Sequence, residues 1–156
     1  MSLHEQLSKD KLLVEQEKTS GKVVYGYLYT VRNSRLQDTF NDNRAFLPFQ
    51  YLDGHDTLIA KSTVAEVFGI VNVSAMASAH GPYAAFGISR DDSMDSIEAV
   101  YRNYILRCHP DNYKGEQYPD ALRKVLSKVI LQVRDHFENI KKDQAKRAAA
   151  ISAANG

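Results

Sequence analysis

The chain has 156 residues, 20 Lys+Arg against 19 Asp+Glu, 44% apolar residues, one cysteine and no tryptophan. That apolar share excludes a disordered or collagen-like chain, and near-neutral charge argues against a strongly basic nucleic-acid binder. A lone thiol, Cys108, excludes an internal disulfide or a multi-thiolate zinc site and suits a reducing compartment.

The first half reads as short strands. Lys11 to Glu17 and Lys22 to Val31 are β-prone runs around Thr19-Ser20-Gly21, which predicts a hairpin. The polar stretch Asn33 to Asn43 holds Leu36 and Phe40 four residues apart, which predicts a single helical turn capped by Ser34. Arg44 to Leu52 and Thr57 to Ala60 flank the turn Asp53-Gly54-His55-Asp56, where a metal site is the weaker reading. Pro48 predicts that the first of these runs is an edge strand or bulged. Val64 to Val73 closes the series. Several short strands within about 65 residues must curl to bury one face, so a small β-barrel or strongly bent antiparallel sheet is expected. Residues 74–81 are small and end in Gly81-Pro82, which predicts a linker between a β-unit at 1–73 and a helical unit at 82–156.

After Pro82 the apolar period becomes helical. Ile97, Val100, Tyr101, Tyr104, Ile105 and Cys108 share one helix face that Ser93 or Asp95 can cap and Pro110 stops. Leu122, Val125, Leu126, Val129, Ile130, Val133, Phe137 and Ile140 form a second stripe introduced by Tyr118-Pro119-Asp120. Two such helices joined by about ten residues predict an antiparallel helical hairpin, so the class is α+β. The Ala-rich tail after Lys141 either extends the last helix or folds as a short fourth one. No apolar run approaches the roughly 20 residues that span a bilayer. The N-terminus lacks a basic segment followed by an apolar one, so a cytoplasmic protein without a membrane span is expected.

Between the two helical stripes stands His109-Pro110-Asp111, preceded by Tyr83, Phe86, Gly87 and Ile88 and followed by Phe137-Glu138-x-Ile140. Over about sixty residues this resembles the J-domain of DnaJ/Hsp40 co-chaperones, with a loop length similar to the DjlA-like variety. The resemblance implies a protein that is not itself an enzyme, needs no cofactor, and binds an Hsp70 of the DnaK type to stimulate its ATP hydrolysis. The residues it implicates in that binding are His109, Pro110, Asp111, Arg102, Asn103, Leu106 and Arg107. Pro110 turns the backbone, Asp111 can pair with an arginine of the partner, and Arg102 and Leu106 lie on one exposed strip. Two positions depart from the family's basic face, with Glu98 at a usually basic position and Asn103 in place of another cation.

Other readings of the same residues stand beside this one. The tripeptide can be an ordinary helix stop, Cys108 falls on the buried stripe, Arg102 and Arg107 can be solvated charges, and Leu106 an ordinary surface leucine. In the first half, Arg35-Leu36-x-Asp38-x-Phe40-Asn41 resembles small bacterial β-domains of unknown function, with Arg35 and Asp38 read as a local pair or cap. That half is expected to direct the protein to a client. The alternative is an adaptor without ATPase stimulation, whose β-unit binds RNA or a regulatory ligand through Arg32, Arg35, Arg44 and Lys61. Nucleic acid ranks low because these cations lack interleaved aromatics.

Overall fold

The computed structural model describes residues 9–77 and 80–156. Part of the expected linker, residues 78 and 79, and the first eight residues of the β-unit lie outside them.

Five antiparallel strands form one sheet: β1 (Lys9–Lys18), β2 (Val23–Val31), β3 (Phe46–Tyr51), β4 (Asp56–Ala60) and β5 (Val64–Asn72), in the order β4-β3-β2-β1-β5. The β1–β2 hairpin pairs Lys9 with Val31 through to Glu17 with Val23, and its turn uses Gly21 at φ +83°. A 3-10 turn at Lys61–Thr63 joins β4 to β5, although they lie on opposite edges. Four Cα steps reach at most roughly 15 Å, whereas four inter-strand gaps in a flat sheet span roughly 19 Å. The sheet is therefore bent. Among the described residues no β4–β5 pairing closes it.

Pro48 is on neither an edge strand nor a bulged one, the two places the sequence expectation gave it. β3 lies between β2 and β4, and hydrogen bonds from Lys61 N–H to the Ala45 carbonyl and from Tyr51 N–H to the His55 carbonyl set the phase of the β3–β4 ladder. That phase turns the Pro48 nitrogen toward β2. The β2–β3 pairing accordingly stops at Leu28–Phe49, one residue before the missing N–H would be needed.

Both faces of the bent sheet are covered, which explains why Leu13 and Val14 are both buried although strand neighbours point to opposite faces. Inside the bend, Val14, Leu28, Leu47, Phe49 and Ile59 cluster, with Leu36 and Phe40 of helix α1 (Leu36–Asn41) packed against them. Arg35, not Ser34, occupies the α1 N-cap, and the Asp38 carboxylate accepts its N–H at 3.0 Å. Outside the bend, Leu13, Tyr25, Ile70 and Val71 join a larger cluster with the helices.

Those helices are α2 (Val73–Met76), α3 (Pro82–Phe86), α4 (Met94–Cys108) and α5 (Asp120–Ala154). The start of the expected linker is thus helical and packed. Ser74 Oγ accepts the Lys11 N–H at 2.9 Å, and His136 of α5 bonds the Met76 carbonyl at 2.7 Å. Sheet and helices meet in one shared core built on Leu13, Met76, Phe86, Ile97, Cys108, Leu126 and Val133. Ser93 caps α4 through its Oγ, which accepts the Ser96 N–H. α4 and α5 run in opposite senses: Tyr101 stacks on Phe137 at 4.0 Å, while Arg147 reaches back to Asp91, ahead of α4. The Ala-rich tail continues α5 to Ala154 and forms no separate helix. Among the described residues, no helix is long and apolar enough to cross a membrane.

Candidate functional site

The loop between α4 and α5 is built by satisfying the groups that a helix end leaves unpaired. The His109 N–H still bonds Ile105, while its extended backbone turns the chain out of the helix. Pro110 then opens a 3-10 turn at Pro110–Tyr113. The last turn of α4 exposes carbonyls that loop side chains take up: Asn112 Nδ2 donates to the Leu106 oxygen at 2.6 Å, and the Tyr113 hydroxyl donates to the Arg107 oxygen at 2.9 Å. Arg123 of α5 donates to the Tyr113 and Tyr118 carbonyls. The far side of the loop rests on the sheet through Tyr118, 6.0 Å from the Tyr25 ring and 5.2 Å, edge-on, from that of Tyr113. Tyr25 in turn donates its hydroxyl to Glu15 at 2.6 Å. Burial, followed by that acceptor, raises the Tyr25 phenol pKa well above its ordinary value.

Within this frame His109 Nδ1 accepts the Asp111 N–H at 3.2 Å, so in the neutral ring the proton sits on Nε2. Asp111 is exposed and its carboxylate meets Lys114 Nζ at 2.9 Å. The Lys114 hydrogen bond, ahead of its charge, holds the Asp111 pKa below the ordinary carboxylate value. The tripeptide thus presents an ionised acid on a braced turn.

The other sequence candidates divide. Leu106 is 72% exposed, next to the loop. Arg102 and Asn103 lie about one turn further back on α4, both exposed. Arg102 is held by Glu98 at 3.1 Å, an i,i+4 pair. Arg107 turns toward the sheet and donates to the carbonyls of Gly69 and Ile70 at 3.1 and 2.9 Å. Cys108 is fully buried and burial pushes its thiol up to about 11, which suits a core residue and not a nucleophile.

Arg44 and Lys61 both bond the Asp42 carboxylate, each at 2.7 Å, and hold it well below the usual carboxylate range, Arg44 being the larger cause. His55 pairs with Asp53 across an exposed turn, and among the described residues no three His, Cys, Asp or Glu side chains gather for a metal. Sequence reasoning missed Tyr25, Glu15 and Phe68, which the bend of the sheet brings against the loop end of α4. Their strand pattern signals only an exposed or half-buried face; the contact itself is long-range.

Comparison of the chain with family models, with curated proteins and with solved structures found no match.

Proposed function

We propose that the chain is a J-domain-type co-chaperone that docks an Hsp70 of the DnaK type through its His109-Pro110-Asp111 loop and helix α4, and stimulates ATP hydrolysis by that partner. In this reading α3, α4 and α5 are the short first helix and the antiparallel hairpin of a J-domain, and the β-unit directs the complex to a client in the cytoplasm. One observation carries it: an exposed, ionised Asp111 stands on a turn braced from three sides, beside exposed Leu106. A docking acid gains from such preorganisation, because little loop entropy is lost on binding. Asp111 would exchange Lys114 for a partner arginine, a charge-assisted pair that fixes register. Tighter docking to the hydrolysis-competent state then shifts the partner's populations.

A second reading has its own support. Of the two arginines expected on the docking face, Arg102 is paired with Glu98 and Arg107 is bonded to β5, so the face offers little free positive charge. That favours an adaptor that binds without stimulating hydrolysis. Its RNA-binding form is disfavoured by the shared Asp42 acceptor of Arg44 and Lys61.

The deciding experiment is single-turnover ATP hydrolysis by a bacterial Hsp70 with the intact chain and with Asp111→Asn. Stimulation lost in the variant is expected. Binding without stimulation by the intact chain selects the adaptor, and neither binding nor stimulation across several such chaperones removes both readings.

A further inference from the structure

We propose that the groove between the β1–β2 hairpin and helices α2 and α5 is a docking site for an acidic segment of another polypeptide, with Lys11 and Lys128 as its cationic anchors. The inference goes beyond the co-chaperone reading and uses neither the His109-Pro110-Asp111 loop nor the exposed strip of α4. The groove holds about 360 Å³, and Lys11 lines it from β1 while Lys128 lines it from α5. No Asp or Glu is among its lining residues, so its formal charge is of one sign. Among the described residues neither ammonium has a carboxylate within ion-pair distance. The acids nearest Lys11 on its own strand are engaged elsewhere: Asp10 accepts the Asn33 N–H, and Glu15 accepts the Tyr25 hydroxyl. Lys11 is also held in place. Its ammonium lies 4.1 Å from the centroid of the Tyr27 ring, and its backbone N–H donates to Ser74 Oγ at 2.9 Å, which ties the strand to α2. The ring orients the cation without neutralising it. Ser74 lines the groove as well, and having accepted that bond it keeps its own hydroxyl proton for an incoming oxygen.

The occupant follows from these unpaired charges and from the walls beside them. Val73, Val125 and Val129 supply apolar surface, and cations next to low-dielectric walls concentrate a positive field in the space between. An anion that enters is attracted by both lysines and relieves their mutual repulsion. Its apolar neighbours meet the valines. A polypeptide fits this better than a single-stranded nucleic acid, because Lys11 already covers the face of the Tyr27 ring on which a base would stack. A free small carboxylate fits less well too, since an open groove covers only part of it, whereas a chain segment is held on both sides of the residue it inserts. The fitting segment therefore sets acidic and apolar residues side by side, carboxylates for the two ammonium groups and apolar side chains for the valines.

The test follows the fluorescence anisotropy of a labelled octapeptide that alternates glutamate and valine, titrated with the full chain and with Lys11→Gln, Lys128→Gln, Lys128→Glu and Lys142→Gln. Lys142 is the control, exposed on α5 and outside the groove. Near 50 mM salt, Lys11→Gln and Lys128→Gln are each expected to raise Kd roughly fivefold, the size of a lost exposed ion pair. Lys128→Glu should raise it further, and Lys142→Gln should match the intact chain. Lys128 is exposed on a helix, so its variants keep the fold and carry the test even where Lys11→Gln disturbs its strand. The corresponding glutamine–valine peptide should bind more weakly than the acidic one, and the difference should fade near 0.5 M salt. Equal affinity of the intact chain and Lys128→Gln for the acidic peptide, or no binding at all, would overturn the site. A labelled octauridylate bound as tightly as the peptide, with the same losses in the variants, would overturn its assignment to a polypeptide. ATPase stimulation is not read in any of these titrations, so their failure leaves the co-chaperone reading where it stands.

Discussion

The Arg107 guanidinium donates to the Ile70 carbonyl at 2.9 Å, at one of two places where the β1–β5 pairing departs from regular register. Leu13 pairs with Val71 and Val14 with Gly69, so Ile70 is the extra residue of a β-bulge. Such a bulge loosens carbonyls from the ladder, and Arg107 takes up those of both Gly69 and Ile70. The last turn of α4 is thereby tied to the edge of the sheet. Arg107→Ala should lower stability by about 1 kcal/mol, the net worth of a typical intramolecular hydrogen bond, given that the arginine is exposed. Arg107→Lys should recover only part, since an ammonium cannot reproduce the planar fork. Urea denaturation followed by circular dichroism measures both. An unchanged midpoint in the alanine variant would show that the bulge is self-supporting.

The thiol of Cys108 is fully buried against α5, and burial pushes its pKa up to about 11. Only the thiolate reacts quickly with disulfide reagents, so the native protein should be inert to Ellman's reagent at pH 8 and release one equivalent on denaturation. Fast labelling of the native state at low protein concentration would contradict the burial.

How much of this was legible in the sequence depends on the range of the interaction. Strands, the β1–β2 hairpin and the two long helices followed from apolar period and turn residues, and Cys108 fell on its helix's buried stripe because i, i+3 and i+4 spacing is local information. The expectation of an edge strand or a bulge at Pro48 failed for a reason visible only with the partner strand in place: the ladder's phase decides whether a missing N–H falls within a paired stretch or at its end. The start of the expected linker is packed although its small residues read as flexible, because Ser74 and Met76 are held by Lys11 and His136, each about 60 residues away. The His109-Pro110-Asp111 turn was found from its letters and flanks, but its bracing by Tyr25, Tyr118 and Arg123 was not. Nor could sequence assign Arg107 to the sheet, because a cation on an exposed helix position reads the same whether it faces water, a partner or a bulge.

Asp143 holds α5 to the segment ahead of α4. Its carboxylate accepts the Tyr83 hydroxyl at 2.8 Å and pairs with Arg90 at 2.7 Å, while Gln144 and Arg147 donate to the Arg90 carbonyl. The Tyr83 hydrogen bond, then Arg90, lowers its pKa below the ordinary value. A carboxylate whose pKa is depressed by folding contributes stability that is present above the unfolded pKa and is lost as pH falls through the folded one. Asp143→Asn should therefore melt at a lower temperature than the parent at pH 7, and the two should converge only once the pH has fallen through the folded pKa, which lies under the ordinary Asp value of about 3.9. Parallel curves over the whole range would mean that this acid is not linked to folding.

Glu98 bears on the missing charge of the docking face. It holds Arg102 at 3.1 Å, so the exposed strip of α4 shows a neutral pair where the resemblance implies two cations. An exposed i,i+4 pair is worth only about 0.3–0.5 kcal/mol, so Glu98→Lys should leave the helix intact. The substitution removes an acid, adds a base and releases Arg102, a local change of two charge units toward the field an acidic partner surface attracts. On the co-chaperone reading, the half-stimulating concentration should fall several-fold near 50 mM salt, through faster association. Near 0.5 M salt, where screening acts within a few ångströms, the advantage should vanish. Glu98→Gln should fall between the two, because it releases Arg102 without adding a cation. A Glu98→Lys titration equal to or weaker than that of the intact chain at low salt would mean that the partner meets this turn of α4 with no acidic surface, and that docking runs through the loop and Leu106 alone.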